Sequence, residues 1–173
     1  MRGEYVFGYG SLVNLATHGY ADIRPARLRG WRREWRHAAG RQVAFLTVVP
    51  SDGDQIDGVT ACVPLKDWAE LDAREASYIK QTTEAATPMP DGKLCLYHAP
   101  RDLHPPAAKP LPILLSYLDV VVQGYLQAFG EQGVEAFFQT TDGWDAHILN
   151  DRDAPRYKPV SYTHLTLPTI YPV

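Results

Sequence analysis

The sequence predicts an α+β fold: a curved mixed or antiparallel sheet forming a small barrel-like core, with a few helices packed around it. Three features predict it. Strand-like runs are grouped first, one long run at helical spacing comes late, and no regular alternation of strand and helix suggests a parallel sheet.

Tyr5-Val6-Phe7 is aromatic and β-branched and stops at Gly8, so it reads as a strand entering a glycine-rich loop. From Ala26 to His37, Leu28, Trp31 and Trp35 are interleaved with arginines, and Val43 to Val49 is a nearly continuous apolar run suited to a buried strand. Ser51-Asp52-Gly53-Asp54 carries hairpin-turn chemistry, after which Gln55 to Leu65 returns in period-two alternation through Ile56, Val59, Ala61 and Val63. Lys66 to Ala76 is expected to be a short helix, with Asp67 and Glu70 spaced as in a capping box. Ser77 to Thr83 and Lys93 to His98 read as another strand pair, separated by a loop with Pro88, Pro90, Asp91 and Gly92. A linker holding Pro105, Pro106, Pro110 and Pro112 leads into the most regular helix, Ile113 to Phe129, whose apolar residues recur at helical spacing. Gly133 to Gln139 is expected to form a second short helix before the loop Thr140 to Trp144.

From Pro159 to Val173 the chain changes character, with no charged residue, prolines at Pro168 and Pro172, and no periodicity. That stretch resembles translated adapter sequence and is set aside from function. The expected organisation is one domain over residues 1–158 followed by a non-native-looking tail over 159–173.

Composition narrows the function classes. The 173 residues are 45% hydrophobic, enough for one real core. With 17 Lys and Arg against 20 Asp and Glu, the formal charge of -3 gives no bias toward nucleic acid, so none is expected as a partner. The N-terminus lacks the apolar core of a signal peptide and no stretch is apolar enough to span a bilayer, so the expectation is a cytoplasmic protein without a membrane partner. Cys62 and Cys95 lie in apolar strand-like runs and read as buried thiols. His18, His37, His98, His104 and His147 are scattered without ligand spacing, and no metal site is expected.

Two features carry chemistry. Glycines at 8 and 10 allow positive φ and let a ligand approach main-chain N–H groups, so the turn Tyr9-Gly10-Ser11-Leu12 can bind an oxyanion. Val13 stands where a dinucleotide fingerprint needs its third glycine, and Tyr9 and Val13 stand where a nucleophile elbow around Ser11 needs its two. The second feature is Glu75. On a helix, Trp68, Leu71, Glu75 and Tyr78 fall on one stripe, so this carboxylate faces inward among large apolar groups. An inward glutamate must be paired, hydrogen-bonded or lining a cleft. Partial burial would raise its pKa toward the range of a general acid/base, whereas a structural ion pair with Arg74, Lys80 or one of Arg27, Arg29, Arg32 and Arg33 is the alternative.

Together, the strand running into Phe7-Gly8-Tyr9-Gly10-Ser11-Leu12 and the later Leu71-Asp72-Ala73-Arg74-Glu75-Ala76-Ser77-Tyr78 resemble the γ-glutamylcyclotransferase-like family in its bacterial form. The similarity runs from about Tyr5 to about Tyr157 and includes Trp144 and Leu149-Asn150-Asp151-Arg152. It implies a γ-glutamylcyclotransferase-like fold and a soluble, cofactor-independent enzyme, monomer or homodimer, that cyclises a small γ-glutamyl substrate to 5-oxoproline and releases an amine. By the same resemblance Glu75 is the catalytic acid/base and Tyr9, Gly10, Ser11 and Leu12 form the substrate-binding loop. Tyr78, Tyr97 and Tyr117 are candidate phenol donors to the pocket, with Tyr78 and Tyr117 taken as substrate-binding. After Tyr157 the family continues with further charged residues, so a native terminal segment is expected to be missing here. A binding module of the same fold without catalysis, and a plain structural domain, remain alternatives. The expected cavity joins residue 75 to the first loop and is about the size of a glutamyl group.

Overall fold

The computed structural model describes residues 3–157; the tail over 159–173 lies outside the described residues. Along the chain run β1 (Gly3–Gly8), β2 (Ala21–Arg36), β3 (Phe45–Cys62), α1 (Trp68–Arg74), β4 (Ile79–Thr82), β5 (Ala86–Thr87), β6 (Gly92–His98), β7 (Ile113–Leu114), α2 (Leu115–Gln139), β8 (Thr141–Asp142) and β9 (Ile148–Leu149). Seven strands form one sheet in the order β4-β6-β1-β3-β2-β5, with β8 beside β2; β7 and β9 pair separately. The sheet is mixed, since β1 is antiparallel to β3 but parallel to β6, and β8 is parallel to β2. It curls into a half-barrel, the α+β architecture expected.

Strand alternation divides the interior into two clusters. In β1, Tyr5 and Phe7 face the larger core shared with α2, while Val6 faces a smaller one holding Trp68 and Leu71 of α1. In β6, Leu94 and Leu96 join the first cluster and Cys95 and Tyr97 the second. Cys62 and Cys95 are both free thiols, and burial pushes Cys95 up to about 11.

Four local expectations need correction. Ser51 to Asp54 does not reverse the chain: β3 runs straight through, with Arg29 opposite Gln55 and Trp31 opposite Pro50, so those residues bulge out opposite Gly30. Gly30 and Gly53 supply φ of +77° and +84°, and Ser51 Oγ donates to Asp54 Oδ2 at 2.6 Å. The turn chemistry is spent locally because pairing with β2 continues on both sides. Reversal occurs instead across residues 37–44. The bulge also shifts the phase of β2, burying Ala26 and Leu28 before it and Trp31, Arg33 and Trp35 after it.

Second, Asp67 does not cap α1. A single 3-10 turn, Leu65–Asp67, puts it in helical geometry (φ -94°, ψ -9°), whereas a capping side chain needs extended backbone. Third, α1 stops at Arg74, so the turn after the helix positions Tyr78. Fourth, Ile113 and Leu114 belong to β7 and not to the long helix; within α2 the two expected late helices meet at Gly130, whose φ of +69° and ψ of -168° are not helical.

The proline-rich linker is tied down by backbone bonds to the 37–44 connection, Ala39 N–H to Pro105 O (2.8 Å) and Ala44 N–H to Pro112 O (2.9 Å). No helix among the described residues is long and apolar enough to cross a membrane.

Candidate functional site

β1 delivers the chain into a one-turn 3-10 helix, Ser11–Val13, closed by Val13 N–H to Gly10 O at 3.0 Å. The glycines serve space here and not positive φ, which neither Gly8 nor Gly10 adopts. A Cβ at Gly10 would lie 2.8 Å from the Tyr117 hydroxyl, and one at Gly8 would lie 2.6 Å from the Leu12 Cβ.

Below the turn lies a polar knot. The fully buried Arg33 donates through Nε to Tyr9 O (3.1 Å) and through Nη1 to Thr140 Oγ1 (2.7 Å), and through Nη2 to Asp57 O and the Tyr125 hydroxyl. The one proton of the Tyr125 hydroxyl has two acceptors within reach, Asp57 O at 2.7 Å and Tyr9 O at 3.0 Å. In a trans peptide the carbonyl and the following N–H point opposite ways, so anchoring Tyr9 O turns the Gly10 N–H away from those two donors. Asn14 ties the same turn to α2, donating to Val120 O and to Gln123 Oε1, both at 2.9 Å.

Glu75 comes from the other side. Its N–H closes the last turn of α1 on Leu71 O at 2.9 Å, so its side chain leaves on the face of the buried Leu71. The side chain is 20% exposed and its Oε1 accepts from Arg74 Nε at 3.1 Å. Burial raises its pKa, and the Arg74 guanidinium offsets part of that. Lys80 pairs with Asp72 instead, Arg27 with Asp57, and Arg32 with Asp142.

Glu75 and the turn line one cavity of about 50 Å³. Tyr9, Gly10, Ser11, Leu12, Tyr78 and Tyr117 all border it. So do Phe7, Gly8, Leu46 and Tyr97. Leu46, Tyr78 and Tyr117 also border a neighbouring cavity of about 100 Å³.

The phenols divide by what they already bond. Tyr9 donates to Tyr97 O (2.7 Å), Tyr78 to Leu46 O (2.8 Å), and Tyr97 to the Asp72 carboxylate. Tyr117 packs edge-on against Trp35 and Tyr157 with its hydroxyl over Gly10 and beside Ser11. Burial raises the pKa of all four, so they stay protonated near neutrality. Among the described residues no cluster of three or more His, Cys, Asp or Glu could hold a metal.

In the sequence Arg33 stands only as a possible partner for Glu75, and Leu46 and Asn14 are not singled out. Leu46 is one apolar residue in an apolar run and carries no signal, whereas Asn14 accepts from Ala16 N–H at 3.0 Å, an Asx turn that asparagine favours.

No family model and no curated protein matches the chain. Solved structures do. One described as a gamma-glutamyl cyclotransferase has a TM-score of 0.62 at 13% identity, covering 86% of this chain and 95% of that one. An uncharacterized protein from Homo sapiens has a TM-score of 0.61 at 15% identity, over 88% of this chain and 97% of that one. YkqA from Bacillus subtilis has a TM-score of 0.57 at 19% identity, over 80% of this chain and 54% of that longer one. At these identities the likeness concerns the fold, and the chain adopts the γ-glutamyl cyclotransferase-like fold.

Proposed function

We propose that the chain is a γ-glutamylcyclotransferase-type enzyme that converts a γ-glutamyl compound to 5-oxoproline and a free amine. One observation carries this reading: a partly buried carboxylate with a raised pKa, Glu75, borders the same cavity as the Gly10-Ser11 turn.

The reaction is intramolecular. The substrate's α-nitrogen attacks its own γ-carbonyl, the lactam bond forms and the γ-amide bond breaks. The α-ammonium loses two protons and the departing nitrogen gains two, so neither water nor redox partner is consumed. Three tasks fall to the protein. Cavity walls hold the glutamyl chain folded, which reduces the entropy lost on cyclisation. Glu75 relays protons from the attacking to the departing nitrogen, a step worth ~10²- to 10⁴-fold. Amides of the Gly10 turn stabilise the tetrahedral oxyanion, where one donor contributes ~10²- to 10³-fold. Arg33 and Tyr125 act one step back, holding the Tyr9–Gly10 peptide in the orientation this requires. The departing amine of the substrate extends into the adjoining space lined by Tyr78 and Tyr117.

Purified protein given γ-glutamyl dipeptides, glutathione and γ-glutamylamines is expected to release 5-oxoproline, and Glu75→Gln to lower kcat by ~10²-fold or more. Absence of product with every substrate refutes the proposal. A non-catalytic binding module is the second reading, favoured by the Arg74–Glu75 pair and by the phenols of Tyr9, Tyr78 and Tyr97 already donating within the protein. It requires ligand binding that Glu75→Gln leaves unchanged and no turnover by the wild type.

A further inference from the structure

The adjoining cavity has its own chemistry. Two exposed arginines, Arg41 and Arg156, border it, and among the described residues no aspartate or glutamate does. Neither arginine forms an ion pair among the described residues. Arg41 stacks on the Phe45 ring at 4.9 Å, which holds the head beside the cavity without neutralising it. Its loop is anchored by the backbone bonds to the proline-rich linker, and Arg41 N–H donates to Ala38 O at 3.2 Å. Arg156 enters from the last described segment. Its backbone N–H donates to Asp151 Oδ2 at 3.2 Å, and the same carboxylate accepts from the amide and hydroxyl of Ser116.

Tyr78 stands between the compartments: its phenol borders both and is held by Leu46 O. Glu75 therefore serves the inner space and two cations the outer one. Unpaired guanidinium groups around a concave wall favour an anion, and their planar forks suit a carboxylate.

We propose that Arg41 and Arg156 form the subsite for the departing amine, and that it selects one carrying a carboxylate, an amino acid or peptide, over a neutral or cationic amine. This rests on the cyclotransferase reading and names its substrate class. When the γ-amide bond breaks, the departing nitrogen takes up the two protons given up by the α-ammonium and the product leaves as a zwitterion, its carboxylate held between the arginines until release.

γ-Glutamylalanine and γ-glutamylalaninamide differ only by carboxylate against carboxamide, so the pair isolates the charge. Affinities are measured by calorimetry on the Glu75→Gln chain, in which turnover is slowed ~10²-fold or more, and kcat/KM on the wild type. The carboxylate is expected to be favoured by about tenfold in both, with the preference falling toward one in Arg41→Gln and Arg156→Gln, falling less in the lysine variants, and shrinking with added salt. Equal affinities for the pair, a preference that survives both arginine substitutions, or binding of neither compound overturns the subsite. The two proposals fail differently. Release of 5-oxoproline from both compounds at the same kcat/KM leaves the enzyme and removes the subsite. Discrimination in binding with no 5-oxoproline from either leaves the subsite and removes the enzyme.

Discussion

Glu75 and Arg33 show opposite ways of placing charge inside a protein. Glu75 is one-fifth exposed with a single cation at its edge, so burial outweighs the Arg74 charge and its pKa rises above the ordinary 4.5. A base must be ionised to work, so activity is lost as pH falls through that raised value. Arg74 lowers the same pKa, and Arg74→Gln is therefore expected to move the acid limb of kcat/KM to higher pH, measured on a substrate whose own amine titration is known. A limb that moves to lower pH contradicts the assignment. For stability the sign is reversed: a raised folded-state pKa favours the fold below the free-carboxylate value and loses that contribution as pH rises through the folded one. Arg33, by contrast, is fully buried with backbone carbonyls, a threonine and a phenol as partners. No carboxylate pairs with it among the described residues. Its sequence context was one arginine among several in a strand, and the bulge at Gly30 selected it to point inward.

The packing of α2 on the first turn ties helix to site. Gly124 lies against Asn14, and a Cβ there would meet Asn14 N at 2.6 Å and Val13 C at 2.8 Å, both backbone atoms that cannot swing aside. Gly124→Ala is expected to cost about 1–3 kcal/mol, a fall of several degrees in Tm. It also displaces the turn that carries Gly10, so kcat should fall in preparations still folded at assay temperature. A variant with reduced Tm and unaltered kcat would show that the turn does not depend on this contact. Periodicity showed α2 clearly, since its apolar stripe runs through Leu118, Val121, Val122 and Tyr125, but the close approach at Gly124 depends on what lies opposite. The same holds for β3. Its residues Ser51 to Asp54 carry hairpin chemistry, yet a long antiparallel ladder on either side turned them into a bulge.

The last described segment is closed onto α2 by polar contacts. Asp119 of α2 is fully buried and takes two bonds from Arg152, at 2.8 and 2.6 Å. Ser116, one turn earlier, holds Asp151 at 2.8 Å through its amide and 2.6 Å through its hydroxyl. Arg152→Ala leaves the Asp119 charge buried without this partner, and a loss of about 3–5 kcal/mol is expected in denaturant unfolding. Replacing both members together, Arg152→Met with Asp119→Leu, should cost much less, because no bare charge remains. A double variant as unstable as the single one would place the loss in packing. These contacts bring Arg156 and Tyr157 to the outer cavity, and thus link the last described segment to the proposed site.

Local signals were enough for the α+β class, the longer strands and the long helix, and they singled out Glu75 and the first turn, whose pairing as one site came from the family resemblance. Alternation, helical spacing and a carboxylate on an apolar stripe are short-range properties that neighbours along the chain already settle. Which arginine is buried, which phenols remain available, and how Leu46, Tyr78 and Tyr117 divide the cleft depended on the folded arrangement. Those properties arise from strand register and from contacts between residues such as Tyr9 and Tyr125, far apart in the chain, and no local pattern encodes such distances.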